Sequence, residues 1–128
     1  MKYTVRIDKE GTFWYKEGTK ILHREDGPAC EWADEDKEWY FHGKLHREDG
    51  PACEYANGTK SWYFHGKRHR EDGPACEWAD GRKEWYLNGK GLSEEEFNAR
   101  KVNMLTIDGK TIELSKETVD NIKSLLRD

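Results

Sequence analysis

Three consecutive stretches decide the fold: LHREDGPACEWADEDKEWYFHGK at 22–44, LHREDGPACEYANGTKSWYFHGK at 45–67 and RHREDGPACEWADGRKEWYLNGK at 68–90. Any two share sixteen or more positions at constant spacing, which chance does not produce, so the chain is a repeat array. Upstream, Trp14-Tyr15 followed by Gly18 echoes the Trp-Tyr-Phe-His-Gly-Lys run, and Glu10-Gly11-Thr12 echoes Asn57-Gly58-Thr59. Residues 1–21 therefore read as N-terminal capping strands and a degenerate repeat, because the ends of repeat arrays are atypical.

Within a copy, Asn57-Gly58 and Asp80-Gly81 lie between short aromatic runs, a strong hairpin signal, since a type I′ turn needs positive φ at both central residues. If Asn57 and Gly58 are those two residues, Tyr55 faces Lys60 and Cys53 faces Trp62. Strand alternation then puts Cys53, Tyr55, Trp62 and Phe64 on one face, the expected core, and Ala52, Glu54, Ser61 and Tyr63 on the other. Copy one has Asp34-Glu35-Asp36 in place of the glycine turn, so its loop is expected to be wider or looser. The architecture expected is mainly β: an elongated antiparallel sheet of 23-residue β-hairpin repeats over 22–90, followed by a small C-terminal α+β cap over 91–128.

In that last segment Ser93 and Glu96 form a capping box that opens a helix from Glu94 to about Lys101. MLTIDGKTIEL at 104–114 reads as two alternating strands around Asp108-Gly109. Ser115 can cap a helix over 116–126 with Val119, Ile122, Leu125 and Leu126 on one stripe. The segment is a cap or lid, or else a small oligomerisation element, since it holds aliphatic residues that the repeats mostly lack.

Composition bounds the function. Leu, Ile, Val and Phe make up 20 of 128 residues, but six Trp and six Tyr supply large rings to bury, so a folded and thinly built protein is expected. Lys and Arg number 22 against 26 Asp and Glu, a net charge of -4, which argues against a duplex nucleic-acid groove. The start MKYTVRIDKE has neither a signal-peptide core nor a cleavage site, and a cytoplasmic location is expected. Cys30, Cys53 and Cys76 repeat the period of the array; in a sheet with two strands per copy they lie about 9–10 Å apart, beyond the roughly 7 Å reach of a disulfide, so free thiols are expected.

The segments Tyr40-Phe41-His42-Gly43-Lys44-Leu45-His46 and Tyr63-Phe64-His65-Gly66-Lys67-Arg68-His69 resemble the signature of MORN repeats, W/Y-x-x-G-K-x-H, whose period is also 23 residues. The resemblance covers about residues 12–91. Where a MORN repeat continues with H-G-x-G, this chain has His-Arg-Glu-Asp-Gly-Pro-Ala, similar to a divergent type in uncharacterised proteins of tailed phages and bacteria. It implies a hairpin array without catalytic machinery that binds proteins and, in some MORN members, lipid; it transfers no functional residue.

Histidines recur as His42/His46 and His65/His69, but Asn88 replaces the third, so no metal site is expected and the imidazoles are read as hydrogen-bonding the inter-repeat loops. Arg-Glu-Asp-Gly-Pro occurs at 24–28, 47–51 and 70–74. Catalysis needs one unequal carboxyl pair with separated pKa values, whereas three equivalent loops give three similar environments, so these read as turns whose arginines pair with acids of neighbouring copies. No unique and chemically competent constellation occurs, and neither an enzyme nor a cofactor is expected.

Two functional readings follow. In the leading one, a non-enzymatic protein-binding module docks through Tyr40, Tyr63 and Tyr86 beside Glu38 and Glu84, with Glu54 on the facing strand, unless the C-terminal segment covers that face. Size, acidity and the phage-type repeats narrow this to an inhibitor, phage-encoded, of a host defence or regulatory protein. In the alternative, a small-molecule sink stacks a nucleotide or sugar on Trp39, Trp62 or Trp85 in grooves between copies, while Arg24, Arg47 and Arg70 hold a phosphate. Membrane binding is disfavoured by the negative charge and the lack of a basic amphipathic helix. Homo-oligomers can form through edge strands near residues 2–8 and in the tail hairpin.

Overall fold

The computed structural model describes residues 2–102, 104–107, 109–113 and 116–125. The chain forms two compact units, residues 1–91 and 92–128. Among the described residues no helix is long and apolar enough to cross a membrane.

The first unit begins with a hairpin, β1 (Tyr3–Asp8) and β2 (Gly11–Lys16). Copy one contributes β3 (Cys30–Trp32), β4 (Lys37–Glu38), β5 (Tyr40–Phe41) and β6 (Lys44–Leu45). Copy two contributes β7 (Cys53–Glu54), β8 (Lys60–Ser61), β9 (Tyr63–Phe64) and β10 (Lys67–Arg68). Copy three contributes β11 (Cys76–Glu77), β12 (Lys83–Leu87) and β13 (Lys90–Leu92). Nine strands form one long antiparallel sheet in the order β1-β2-β3-β4-β7-β8-β11-β12-β13, while β5-β6 and β9-β10 are side hairpins. The fold is thus mainly β and built of hairpin repeats, with two strands of the main sheet from each of copies one and two and three from copy three.

The main hairpins have a different register from the one expected. Cys53 pairs with Ser61 and Glu54 with Lys60, one residue away from the Cys53–Trp62 pairing. The reason is the loop. Gly58 N–H donates to Tyr55 O and Tyr55 N–H to Thr59 O, so three residues connect the strands, and of these only Gly58 has positive φ, 96°. The two-residue turns with positive φ at both positions fall instead on His42-Gly43 (50° and 80°), His65-Gly66 (49° and 82°) and Asn88-Gly89 (50° and 82°). Copy one is not looser: Trp32 N–H donates to Asp36 O at 2.9 Å, as Tyr55 does to Thr59, and Glu35 takes the glycine position at φ 77°.

A one-residue slip exchanges the faces. Cys30, Cys53 and Cys76 share a face with Glu38, Ser61 and Glu84, their cross-strand partners, and by alternation with the tyrosines of the Trp-Tyr-Phe run. Trp39, Trp62, Phe41 and Phe64 lie on the reverse face, whereas Phe13, paired with Cys30, lies on the cysteine face. Both sides of each copy's first strand are filled, since Ala29, Ala52 and Ala75 are as completely buried as the cysteines. Tyr55 and Phe64, expected in the core, are more than a third exposed, as is Trp32, the counterpart of Tyr55 in copy one. The cysteines are free, as the column spacing required. β1 is an edge strand of the sheet and leaves Val5 and Ile7 exposed.

In the second unit, α1 (Glu94–Val102) opens with the reciprocal capping box: Glu96 N–H donates to Ser93 Oγ at 3.0 Å and Ser93 N–H to Glu96 Oε1 at 3.2 Å. A hairpin of β14 (Met104–Ile107) and β15 (Lys110–Glu113) follows, with Ile107 opposite Lys110. Next comes α2 (Lys116–Leu125), on which Ile122 and Leu125 are exposed. Leu114, Ser115 and Leu126, given roles as strand end, cap and stripe residue, lie outside the described residues, as does Asp108 in the turn.

Candidate functional site

Two surfaces of the sheet bear on function, one on each face. The first is the tyrosine face. Trp32, Tyr40, Tyr55, Tyr63, Trp78 and Tyr86 stand on it around the cysteine column. Trp32 Nε1–H donates to Glu38 Oε1 at 2.8 Å, and the Tyr86 hydroxyl donates to Glu84 Oε2 at 2.8 Å. Arg68 Nε–H donates to the Tyr63 hydroxyl at 3.1 Å and its Nη1 reaches the Tyr86 hydroxyl at 3.4 Å. Burial first and the Glu38 carboxylate second push the Tyr40 hydroxyl up to about 12. The bond to Glu84 raises Tyr86, and burial raises Tyr55. Burial likewise pushes Cys30 up to about 12 and Cys53 to about 11, so these thiols are inert packing groups. Of the residues assigned to protein binding, Tyr40, Tyr63, Tyr86, Glu38 and Glu84 come together here. Glu54 does not. Arg68 was missed by sequence reasoning; it stands where the other copies have Leu22 and Leu45, a departure visible on aligning the copies.

The reverse face carries a second constellation, the Arg-Glu-Asp-Gly-Pro loops. The guanidinium of Arg47 lies 3.9 Å from the centroid of Trp39, a ring of the preceding copy. Its Nε–H donates to Asp49 at 3.0 Å, and Nη1 donates to Pro51 O and to Glu54 Oε1, both at 3.0 Å. Arg24 on Trp14 and Arg70 on Trp62 repeat this at 3.8 Å, with Glu31 and Glu77 in the place of Glu54. The loop glycine is needed for closeness: a Cβ on Gly50 would lie 3.0 Å from Arg47 Cζ. Each arginine thus staples its copy to the one before through the ring stack; the expected pairing with acids of neighbouring copies does not occur, since the aspartate and the glutamate both belong to the arginine's own copy. Trp14 performs for the cap what Trp39 and Trp62 do for the repeats. No His-Arg-Glu-Asp loop follows Trp85, and among the described residues no arginine stacks on it.

The histidines bind the loops, with a pairing different from the i, i+4 spacing. His23, His46 and His69 each accept, at Nδ1, the backbone N–H of residue 42, 65 or 88, at 2.8, 2.9 and 2.9 Å, and so hold the two-residue turns. Their Nε2 atoms face Glu25, Glu48 and Glu71 at 3.6, 3.8 and 3.5 Å. Burial first, then the neighbouring His42 and His65, hold His23 and His46 below the ordinary imidazole value. Rings continue the column, with His46 stacked 4.3 Å from His65 and tilted against Phe64 at 4.5 Å. Among the described residues no group of three or more His, Cys, Asp and Glu is placed to hold a metal ion.

Between successive loops lie two clefts. One of about 810 Å³ is lined by Trp62, Phe64, His69 and the loops of copies two and three. The other, of about 720 Å³, is lined by Trp39, Phe41, His46 and the loops of copies one and two. The residues proposed for a small-molecule sink meet here, apart from Trp85, which lines neither cleft. The arginines, however, are already matched by two carboxylates each. Comparison with protein-family models, curated proteins and solved structures finds no match for this chain.

Proposed function

We propose that the protein is a non-enzymatic binding module that docks on a partner protein through the tyrosine face. The observation that carries this reading is the gathering of six large rings on one sheet face, with Trp32 and Tyr55 each 37% exposed, beside the acidic Glu38 and Glu84. Tyr and Trp bring large contact area at low entropic cost and a polar tip, the chemistry of interface anchors. The carboxylates favour a partner whose surface is basic. The MORN-like motif and the phage-type loop narrow this to an inhibitor that occupies such a surface on a host defence or regulatory protein.

The test is a pull-down with tagged wild type beside Tyr40→Ser/Tyr63→Ser/Tyr86→Ser, shown by circular dichroism to be folded. Enrichment of one protein by wild type and its loss with the variant is the expected result. Capture by neither refutes the reading, and equal capture by both refutes the face. The clefts favour a second reading, a nucleotide or sugar sink. A phosphate there would face carboxylates rather than a free guanidinium, which weakens that reading; tryptophan emission during titration with AMP tests it.

A further inference from the structure

The reverse face has a periodicity that selects a ligand. The two clefts are equivalent sites one repeat apart, and a repeat spans two strands of the sheet, about 9–10 Å. The floor of the first is aromatic: Phe64 is 39% exposed and carries no arginine, unlike Trp62. Its rim is acidic, with Glu48, Asp49, Glu71 and Asp72 set against the two stapled arginines. The side chains of these four are 76–86% exposed. The second cleft has Phe41 at the same place, half-buried against the rings of His23 and His42, with Glu25 and Asp26 on one side. An aromatic floor beneath a carboxylate rim suits a planar cation, which stacks on the ring and pairs with the acids.

A ligand that fills both clefts presents two such cations on one side, about 9–10 Å apart. A polyproline II helix does this directly, with three residues per turn and about 3.1 Å rise, or about 9.3 Å between residues i and i+3 on the same side. A β-strand does not, because its i and i+3 side chains point to opposite faces. We infer that the clefts form a docking groove for a basic polyproline II segment of another protein, with an arginine at every third position seated over Phe41 and Phe64 between the acidic loops. This surface is on the face opposite the tyrosines, so its success or failure is separable from that of the protein-docking reading above.

The experiment uses the full chain and fluorescein-labelled proline-rich peptides that carry two arginines at spacings of two, three or four, read by anisotropy at low and at 150 mM salt. The spacing of three is expected to bind at least fivefold more tightly than the other two. Glu25→Gln/Glu48→Gln/Glu71→Gln, which leaves the arginine–aspartate pairs intact, is expected to weaken it tenfold or more. Equal affinity at all three spacings reduces the effect to bulk attraction and overturns the inference, as does the absence of saturable binding. Tryptophan quenching by AMP with no binding of any peptide also overturns it and gives the cleft to a nucleotide. If the triple variant fails to fold, the spacing series alone decides.

Discussion

Replacing Arg47 by Met tests what holds one repeat to the next. The change keeps an unbranched stem and removes the guanidinium, and with it the stack on Trp39 at 3.9 Å and the bonds to Asp49, Pro51 O and Glu54. The stack on a part-buried ring contributes about 1 kcal/mol. The charged donor on the Pro51 carbonyl contributes about 1.5 kcal/mol. Glu54 is only 36% exposed, so leaving it unpaired costs about 1 kcal/mol more, whereas the pair with Asp49, 86% exposed, adds almost nothing. The side-chain freedom lost in ordering the arginine offsets about 1 kcal/mol of this. The net loss is about 2–3 kcal/mol, a fall in Tm of about 10–20 °C for a unit of this size. Urea unfolding followed by tryptophan emission measures it directly. Arg47→Lys keeps the charge but neither the fork nor the planar stack, and is expected to recover less than half of the loss. A loss below about 0.5 kcal/mol for Met, or full recovery by Lys, refutes the staple.

Three further outcomes follow from the geometry. Glu35 holds φ 77° where the other copies have glycine, a conformation that costs an L-residue about 1–2 kcal/mol, so Glu35→Gly is expected to stabilise the protein by about 0.5–1 kcal/mol in the same urea assay, after the entropy cost of the glycine. His23 and His46 titrate below their unfolded value of 6.5, so the unfolded chain takes up protons first as pH falls. Stability is therefore full above about pH 7 and declines as pH drops through 6.5 toward the folded-state values. Thermal melts at pH 7.5, 6.5 and 5.5 should step downward, and a flat profile would contradict the Nδ1 acceptor role. With Cys30 pushed up to about 12, only about one thiol in ten thousand is ionised at pH 8, so a disulfide reagent should label native protein at least a hundredfold more slowly than protein in urea. Labelling at equal rates would show that the column is open.

The repeat period, the hairpin class, the capping box and the free thiols were legible because each rests on spacing or on one local hydrogen-bond pattern. The period of Cys30, Cys53 and Cys76 forbids a disulfide whatever the side chains do. The Ser93/Glu96 capping box needs only four residues. The faces were not legible, since they depend on whether Asn57-Gly58 closes a two-residue or a three-residue loop. Asn is compatible with both, and one residue of difference transfers Tyr63 from the side of Glu54 to the side of Cys53.

By itself, then, the sequence determined that the chain is a hairpin array and which residue types recur in register, because identical segments must fold identically and stack on one another. Only the tertiary structure decided where the type I′ turns fall. The imidazoles of His23, His46 and His69 reach nineteen residues along the chain to hold those turns at positions 42, 65 and 88, and this long-range bond outweighs the local preference of Asn-Gly. It also decided that Glu54 belongs to Arg47 rather than to the tyrosines. A half-buried carboxylate must face a donor, and the donor lies on the loop that folds back over the preceding copy's Trp39.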